Sequence, residues 1–312
     1  MTSIAKEPSK LSLPRVNPGV KTVLEYLILK FPSISAELWR QRIQQGKIHW
    51  HDRSLITAES AFKAQQRVYY YREVECEPLI PLEESILFED ELLLVAYKPH
   101  FLPVTAGGAY INECLQNRLR DKTGIATLQA LHRLDRATAG LVLFSKNQNM
   151  RQPYHHLFAT QQMHKTYQAI ACVTQSKHQQ IPFVGQHWEI KNRLIRAEPK
   201  FTMRIAPEQA NNPANSHSII RCIQRSADKA LFELNPITGK THQLRLHMQA
   251  LGWPILNDKY YPTLQQKSSD DYDKPLQLLA QQLKFIDPVN HQQRIFNSNT
   301  KLSLEEDQKD KK

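Results

Sequence analysis

The sequence predicts an α+β fold, in which strands and helices share a domain without alternating regularly. Several short segments alternate between apolar and polar residues and are rich in β-branched and aromatic residues, which is typical of strands. Other segments repeat apolar residues at helical spacing. The two kinds of segment do not follow the strict strand–helix–strand order of a parallel sheet, and this favours α+β over α/β.

The composition indicates a globular protein with a polyanionic partner. The chain has 312 residues, a length typical of two domains. It is 41% hydrophobic and 23% charged, which is ordinary for a protein with a buried core. Lysine and arginine together number 41 against 30 acidic residues, so the net charge is +11. A surplus of this size favours nucleic acid as the partner.

The cysteines and the apolar segments exclude several classes of protein. The four cysteines are widely spaced and form no CxxC pair, which excludes a cysteine-based zinc site and argues against a disulfide framework. No apolar run approaches the roughly 20 residues that a membrane-spanning helix needs. The N-terminus lacks the apolar core of a secretory signal. We therefore expect a cytoplasmic protein with no membrane partner.

The first 78 residues predict a flexible lead-in and a small α/β module. Residues 1–19 are rich in Pro, Ser and Lys and are expected to be flexible. Residues 20–78 begin with two helical segments. The first ends at Pro32, and the second begins after the N-cap residue Ser35 and ends at Gly46. Two strands are expected next, over KIHWH and RVYYYREV.

Residues 79–296 predict a larger domain, and residues 297–312 a disordered polar tail. Strands of the larger domain are expected over ELLLVAYKP, AGLVLFSKN, KTYQAIACV, SIIRCIQ and ALFELNP. Helices are expected over NECLQNRLRDKTG, over YHHLFATQQM, and from the N-cap Thr241 to about Leu251. Residues 207–217 are expected to form a loop.

The segment LHRLDRATAGLVLFSKN, residues 131–147, contains the first candidate catalytic group. Asp135 lies between Arg133 and Arg136, just before an apolar strand that begins near a glycine. Neighbouring guanidinium groups lower the pKa of a carboxyl group and keep it ionised, as a nucleophile or a general base requires. A structural arginine–aspartate pair at the start of a strand is the alternative.

Tyr167 is the second candidate. Strand alternation in KTYQAIACV places its side chain on the same face as those of Lys165, Ala169, Ala171 and Val173. The small residues that follow the tyrosine leave room for a planar ligand, on which the ring can stack while the hydroxyl group forms a hydrogen bond. A tyrosine that only fills the core is the alternative.

The third candidate is Arg245, on the helix in PITGKTHQLRLHMQALGWPI. It shares a face with His242 and Gln249, beside the apolar stripe of the helix. An arginine on a short helix can bind a phosphate or pair with a carboxylate. His242 and His247 are five residues apart rather than four, and no HExxH pattern is present, so no zinc site is predicted.

These three segments resemble the signature motifs of the RluA-type pseudouridine synthases. HRLDRATAGLVLFSK, KTYQAIA and TGKTHQLRLHMQALGWPILNDKYY occur in the order of that family, and the resemblance covers about residues 84–296. It implies a mixed, largely antiparallel sheet flanked by helices in a catalytic domain over residues 79–296. It also implies that Asp135 is the catalytic aspartate, that Tyr167 stacks on the target base, and that Arg245 pairs with the aspartate.

The same resemblance assigns RNA contacts to basic residues around the motifs. Arg133 stands where the family fills the gap left by a flipped nucleotide. The other expected contacts are Arg136, Lys165, Lys240 and His242. The chain departs from the usual pattern at Ala139, where serine is common, at Lys240, where arginine is common, and at Leu278-Leu279-Ala280, where many members have Leu-His-Ala. None of these departures removes the aspartate, the tyrosine or the arginine.

Residues 20–78 resemble the small RNA-binding module named after ribosomal small-subunit protein S-four. Two helices, Gly46 and a following strand match its outline, whereas His51-Asp52-Arg53 replaces the usual Asn-Gly turn. The expected RNA-binding face consists of Lys30, Arg40, Arg42 and Lys47, with Trp39 and Trp50 nearby. A solvated basic surface that binds no RNA is the alternative.

These resemblances imply an enzyme that isomerises uridines in structured RNA to pseudouridine, with 23S-type ribosomal RNA slightly favoured over tRNA. The reaction is neither a redox step nor a hydrolysis, so neither a cofactor nor a metal is expected. We expect a monomer. One alternative is a non-catalytic RNA-binding or ribosome-assembly factor on a decayed synthase fold. Another is a glycosidase, although such enzymes normally need two carboxylates and the motifs supply one.

Overall fold

The computed structural model describes residues 3–173, 181–207 and 213–304. The chain divides into two compact units. The first unit comprises Met1–Leu79 and Ala106–Glu113, and the second comprises Ile80–Thr105 and Cys114–Lys312. In the described part of the chain, no helix is both long enough and apolar enough to cross a membrane.

The described residues of the first unit form two helices and two small antiparallel sheets. The elements are β1 (Ser3–Ile4), β2 (Ser9–Ser12), α1 (Val23–Lys30), α2 (Ala36–Gln44), β3 (Ile48–Trp50), β4 (Arg67–Tyr70) and β5 (Glu73–Val74). β4 lies between β2 and β3, and β1 pairs with β5. α2 begins after the predicted N-cap Ser35, and α1 begins after Thr22, which was not predicted as a cap. The side chains of both residues accept hydrogen bonds from backbone N–H groups of the first turn.

The predicted flexible lead-in over residues 1–19 is wrong in its central part. β2 pairs along its whole length with β4, from Ser9 opposite Tyr70 to Ser12 opposite Arg67. The physical reason is burial, because Leu11 and Leu13 pack on the hydrophobic core of the unit.

The described residues of the second unit form one large sheet, a short hairpin and three α-helices. The elements are β6 (Ser85–Glu89), β7 (Leu93–Lys98), α3 (Leu115–Thr123), β8 (Gln129–Ala130), β9 (Ala139–Ser145), α4 (Arg151–Ala159), β10 (His164–Cys172), β11 (His187–Asn192), β12 (Leu194–Arg196), β13 (Met203–Ile205), β14 (Ser216–Arg225), β15 (Lys229–Pro236), α5 (Gln243–Ala250), β16 (Leu278–Ile286) and β17 (Gln293–Asn297). A 3₁₀ turn over Gln148–Met150 precedes α4.

The strand order of the large sheet is β11-β14-β15-β10-β16-β9-β7-β6, with β8 beside β9 and β17 beside β16. Neighbouring strands of this sheet are antiparallel, except that β16 and β9 run parallel. β12 and β13 form the separate antiparallel hairpin. The predicted α+β fold with a mixed, largely antiparallel sheet is therefore confirmed.

The parallel pairing of β9 and β16 depends on Gly140. Its φ is +118°, and a Cβ atom at this position would lie 2.3 Å from the carbonyl oxygen of Ala280. A side chain therefore fits neither the backbone conformation nor the space. This close approach brings the start of β9 into the middle of the sheet, directly after the segment that contains Asp135.

Two predictions for irregular segments need correction. β14 begins at Ser216, inside the predicted loop over residues 207–217, and residues 208–212 lie outside the described residues. The predicted disordered tail over residues 297–312 begins too early, because Asn297 ends β17 and Ser298 is buried. The backbone N–H of Leu302 donates to Gln168 Oε1 at 3.0 Å. Residues 305–312 lie outside the described part.

Candidate active site

Asp135 lies on the loop that leads into β9, and buried donors hold that loop in place. The ammonium group of Lys98, which is fully buried at the end of β7, donates to the carbonyl oxygen of Arg136 at 3.1 Å. His100 Nδ1 donates to the carbonyl oxygen of Ala137 at 2.7 Å. The backbone carbonyl of Asp135 accepts from Thr138 N at 3.1 Å. The loop is therefore fixed at the aspartate and over the three residues that follow it.

Burial lowers the pKa values of both of these donors. It lowers the pKa of Lys98 well below its ordinary value, while the charge of Asp135 opposes this change. It also lowers the pKa of His100 to about 4, so this imidazole is neutral at pH 7 and its Nδ1 carries the hydrogen that it donates. Lys98 also donates to the carbonyl oxygens of Pro99 and Leu102, which completes the hydrogen bonds of a buried ammonium group.

Arg136 pairs with Asp270 rather than with its sequence neighbour Asp135. Its two terminal nitrogens donate to the two oxygens of Asp270 at 2.7 and 2.8 Å. A third hydrogen bond, to the carbonyl oxygen of Phe101, is 3.2 Å long. The sequence-based interpretation that both flanking arginines hold the charge of Asp135 is therefore wrong for Arg136, because a bidentate carboxylate 134 residues away satisfies its guanidinium group.

Arg245 is the arginine that contacts Asp135. It lies on α5 with only 3% of its side chain exposed, and its Nη1 is 3.3 Å from Asp135 Oδ2. Asp258 holds the rest of the guanidinium group, accepting from Nε at 2.8 Å and from Nη2 at 2.6 Å. The Asp135 side chain remains 28% exposed, so one carboxylate faces the opening while Asp258 is buried behind the arginine.

Two tyrosines complete the surroundings of Arg245. Its guanidinium carbon lies 4.7 Å from the ring centre of Tyr260 and 5.2 Å from that of Tyr261. The pKa of Arg245 is raised despite its burial, because the hydrogen bonds and charge of Asp258 and the charge of Asp135 favour the ionised form. Arg245 therefore presents a permanent positive charge to Asp135.

His242 occupies the N-cap of α5, where the sequence analysis places Thr241. Its φ is +56° and its side chain makes no capping hydrogen bond. Its Nδ1 lies 2.7 Å from Tyr261 Oη, and that hydroxyl donates to the carbonyl oxygen of Met203 at 3.2 Å. Tyr261 Oη therefore holds the imidazole ring of His242 on this side.

His242 Nε2 faces Asp135. The distance from Nε2 to Asp135 Oδ2 is 3.8 Å. Burial lowers the pKa of His242, and the charge of Asp135 partly opposes this. At 3.8 Å this contact is longer than a hydrogen bond, so the imidazole lies beside the carboxylate without a direct hydrogen bond to it.

Tyr167 lies on β10, opposite Leu234 on one neighbouring strand and Ala280 on the other. A register shift between Thr166 and Tyr167 interrupts the regular alternation of the strand at this point. Burial, followed by the negative charge of Asp135, raises the pKa of Tyr167. The phenol therefore stays protonated and is close enough to Asp135 to respond to its charge.

The remaining predicted RNA contacts of the second unit divide into exposed and internal groups. Arg133 and Lys240 are exposed. Lys165 is half-buried, and its ammonium group is 3.4 Å from the carbonyl oxygen of Thr238. Burial lowers the pKa of Lys165. Arg133 and Lys240 are thus the better placed of these three cations for solvent-accessible phosphates.

The predicted RNA-binding face of the first unit needs a larger correction. Arg42 is buried, and its Nε donates to Glu73 at 3.0 Å. The ammonium group of Lys47 also pairs with Glu73, and Trp39 is fully buried in the core. These side chains stabilise the unit internally because the strand β5 places an acid beside them. Of the four predicted cations, only Lys30 and Arg40 are exposed.

A cavity of about 140 Å³ opens over Asp135. Its lining includes Phe101, Asp135, Arg136, Ala137, His242, Arg245, Asn257, Lys259, Tyr260, Asp270, Lys274 and Leu276.

Asp258, Asp270 and the two tyrosines, Tyr260 and Tyr261, were not predicted as site residues. The segment NDKYY after α5 contains three of them, but only the fold shows that they surround Arg245. In the described part of the chain, no group of three His, Cys, Asp or Glu side chains is arranged to hold a metal ion.

Comparisons with known proteins give one consistent family. The family described as RNA pseudouridylate synthase matches residues 92–250. The dual-specificity RNA pseudouridine synthase RluA of Vibrio parahaemolyticus is 30% identical over 66% of this chain and 79% of that protein. The ribosomal large subunit pseudouridine synthase C of Haemophilus influenzae is 30% identical over 70% of this chain and 65% of that protein. The solved structure of human RNA pseudouridylate synthase domain containing 4 covers 68% of this chain and 87% of its own, with a TM-score of 0.51 and 25% identity.

Proposed function

The chain belongs to the RNA pseudouridylate synthase family, and from that premise we propose that Asp135 is the group that reacts with the target uridine. The enzyme is an isomerase that forms pseudouridine in RNA. Three carboxylates lie at or near the cavity, but Asp258 and Asp270 each bind an arginine through both oxygens. Asp135 has one 3.3 Å contact to Arg245 and an exposed edge. This difference is the observation that carries the proposal.

The proposed reaction breaks one bond to the ribose and forms another. The bond from ribose C1′ to uracil N1 breaks, the uracil turns, and C1′ bonds to C5. N1 gains a hydrogen and C5 loses one, so the product has the same atoms as the substrate. The Asp135 carboxylate acts on the ribose or the base during this exchange, and Arg245 places a positive charge beside it.

The uridine must leave the RNA stack before it can reach Asp135. Flipping a nucleotide costs a few kcal/mol. We propose that stacking on Tyr167 offsets part of this cost, since a stacked base contributes about 1–3 kcal/mol. Arg133 is exposed on the same loop as Asp135, and its proposed role is to occupy the space that the base leaves.

We propose 23S-type ribosomal RNA as the target, ahead of tRNA. The name of the Haemophilus relative specifies the ribosomal large subunit, whereas the Vibrio relative is named as having dual specificity. Chemical mapping of pseudouridines in total RNA from a deletion strain tests this directly. Loss of a ribosomal pseudouridine, restored by the wild-type gene but not by Asp135→Asn, supports the target. Loss confined to tRNA refutes it. The cytoplasmic location and the monomeric state stay predictions.

The first unit is proposed to bind the RNA outside the catalytic cavity, as the sequence suggests, but with a different set of residues. On the sheet of β2, β4 and β3, Tyr69 lies opposite Lys10 on one side and His49 on the other. The rings of His49 and Tyr69 are parallel within 5°, with centres 5.4 Å apart. His51 Nδ1 is 3.0 Å from Tyr69 Oη. Cations beside stacked rings suit the phosphates and bases of RNA.

The alternative of a non-catalytic RNA-binding factor is less favoured. Such a protein has no need for a buried arginine that two aspartates share, or for a loop that several buried donors hold in place. Conversion of uridine by the purified protein, measured by mass spectrometry of digested RNA, separates the two functions.

A further inference from the structure

A second groove lies beside the catalytic cavity. Its volume is about 470 Å³, which is within the usual range for small-molecule sites of roughly 300–1,000 Å³. The lining residues come from the β12–β13 hairpin, from α5 and from the segment after it. Tyr260 lines both this groove and the cavity over Asp135. The groove and the catalytic cavity therefore share one wall residue, Tyr260.

The walls of the groove are suited to a planar, mostly apolar ligand. Met203, Leu246 and Leu264 provide apolar surface, and Tyr260 provides an aromatic face. A further aromatic ring extends from the hairpin at Phe201, which is 55% exposed and lies 5.4 Å from Tyr260, centre to centre. Exposed aromatic rings beside an open groove are typical surfaces for stacking of nucleobases.

The hairpin beside the groove is basic. It and its turn present the exposed cations Arg196, Lys200 and Arg204 against the single acid Glu198, which leaves a local charge of 3 − 1 = +2. Arg204 and Glu198 line the groove, and the other two cations belong to the same hairpin and its turn. An RNA strand places a phosphate beside each base, so an apolar groove next to a basic hairpin is complementary to a nucleotide.

Gln249, which lines the groove, carries an unsatisfied polar atom. Gln249 Oε1 is buried and has no hydrogen-bond donor among the described residues. A buried acceptor without a donor is unfavourable in a folded protein. A base brings imino or amino N–H donors, and a turn of the Gln249 amide towards the groove would let its oxygen accept from one of them.

We propose that this groove binds the base of a nucleotide next to the target uridine in the substrate RNA. The inference rests on the proposed function, because it assumes that a flipped uridine occupies the cavity over Asp135. Tyr260 then separates two consecutive bases. It packs on the guanidinium group of Arg245 at 4.7 Å and faces the second base in the groove. Occupation of the groove fixes the position of the strand relative to the catalytic carboxylate.

The test is a mutant cycle between the protein and the RNA. The RNA probe is the hairpin of 23S-type ribosomal RNA that contains the converted uridine, prepared intact and with an abasic nucleotide immediately 5′ or 3′ of that uridine. The protein variant is Leu264→Trp, which fills the groove from a position that is 41% exposed. For the wild-type protein, one of the two abasic substitutions should lower kcat/KM about tenfold, as expected for the loss of one stacked base. In Leu264→Trp the same substitution should have little further effect.

Arg204→Gln provides a second variant, and Arg225→Gln is its control. Both arginines are exposed on the second unit, but Arg225 is at the end of β14 and does not line the groove. Arg204→Gln should raise KM. It should also reduce the salt slope, the slope of log affinity against log salt concentration, by about one unit, whereas Arg225→Gln should do neither. If the abasic substitutions cost the wild type and Leu264→Trp equally, or if the two arginine variants behave alike, the inference is wrong while the proposed function stands. A wild-type protein that converts no uridine in the intact hairpin overturns both.

Discussion

Asp258 accepts hydrogen bonds from Nε and Nη2 of Arg245, and the third guanidinium nitrogen, Nη1, contacts Asp135. The contacts from Arg245 to Asp258 are 2.8 and 2.6 Å long, and the contact to Asp135 is 3.3 Å long. The inner pair is buried, whereas Asp135 is partly exposed. The stronger pair fixes the direction of the arginine, and the weaker contact leaves the oxygens of Asp135 available to a substrate.

Asp135→Asn should abolish isomerisation while RNA binding is retained. The amide keeps the shape of the side chain but cannot act as a carboxylate, so we expect turnover to fall by about 10³-fold or more. The measurement is pseudouridine formation in single-turnover assays, with RNA affinity from filter binding. Asp270→Asn is the matched control, because it removes a carboxylate from the same cavity and should cost far less activity. Substantial turnover by Asp135→Asn contradicts the assignment.

Asp258→Asn should lower kcat with little change in KM. The substitution frees the guanidinium group of Arg245 to shift, and a displacement of about 1 Å near reacting groups can cost about 100-fold in rate. It also leaves a buried positive charge without its main partner, which typically costs about 3–5 kcal/mol of folding stability. Thermal unfolding and steady-state kinetics measure the two effects. A rise in KM with unchanged kcat would mean that Arg245 serves substrate binding instead.

The fold class and the signature residues could be predicted because their signals are local. Alternation identified β10 and the helical stripe identified α5, and the resemblance to the pseudouridine synthases implied the sheet type. The pairing of Arg136 with Asp270 could not be predicted, because the partner is 134 residues away and lies in a segment with no regular pattern. The pairing of Arg42 and Lys47 with Glu73 could not be predicted for the same reason. Arg42 on α2 and Lys47 just after it appear solvated until the fold brings Glu73 beside them.

Gly140→Ala should destabilise the second unit strongly. A Cβ atom would lie 2.3 Å from the Ala280 carbonyl oxygen and 2.6 Å from its nitrogen, and both are backbone atoms of the neighbouring strand. We expect a loss of at least about 2–3 kcal/mol, since overpacking adds to the strain of a positive φ. Gly124→Ala is the control, because Gly124 also has a positive φ of 71° but nothing within 4 Å. It should cost only about 1 kcal/mol. Equal losses in chemical denaturation would show that the contact with β16 does not matter.

Acid should destabilise the protein through three histidines whose pKa values are lowered in the folded state. Burial lowers the pKa of His132 from 6.5 to about 3, and the pKa values of His100 and His247 to about 4. Above pH 6.5 these groups are neutral in both the folded and the unfolded state, so they contribute no pH dependence. As the pH falls below 6.5, the unfolded state binds protons first, and stability falls by up to about 1.4 kcal/mol per pH unit for each group.

His132→Gln tests this pH dependence. The amide oxygen of glutamine can still accept from Leu143 N, as His132 Nε2 does at 3.0 Å, but it does not titrate. Denaturant midpoints between pH 7 and pH 4 should therefore fall less steeply for His132→Gln than for the wild type. Parallel curves would show that protonation of His132 in the unfolded state is not the cause. His155→Gln, at an exposed position on α4, serves as the control.

Lys10→Gln and Lys47→Gln each remove one lysine from the first unit, but the first should affect RNA binding and the second folding stability. Lys10 is exposed beside Tyr69 on the proposed RNA-binding sheet, whereas Lys47 is paired with Glu73. Lys10→Gln should weaken RNA binding and flatten its salt dependence by about one unit of slope, with folding stability unchanged. Lys47→Gln should lower the unfolding temperature and leave the salt slope as it is.

Tyr69→Ala extends the same test to base stacking. It should weaken RNA binding about tenfold at a salt slope equal to that of the wild type, because stacking does not involve phosphate charge. Fluorescence anisotropy with the labelled ribosomal hairpin at four salt concentrations measures both quantities. If Lys47→Gln reduces the salt slope and Lys10→Gln does not, the RNA-binding face predicted from the sequence, which includes Lys47, is right. The sheet of β2, β4 and β3 is then not the docking surface.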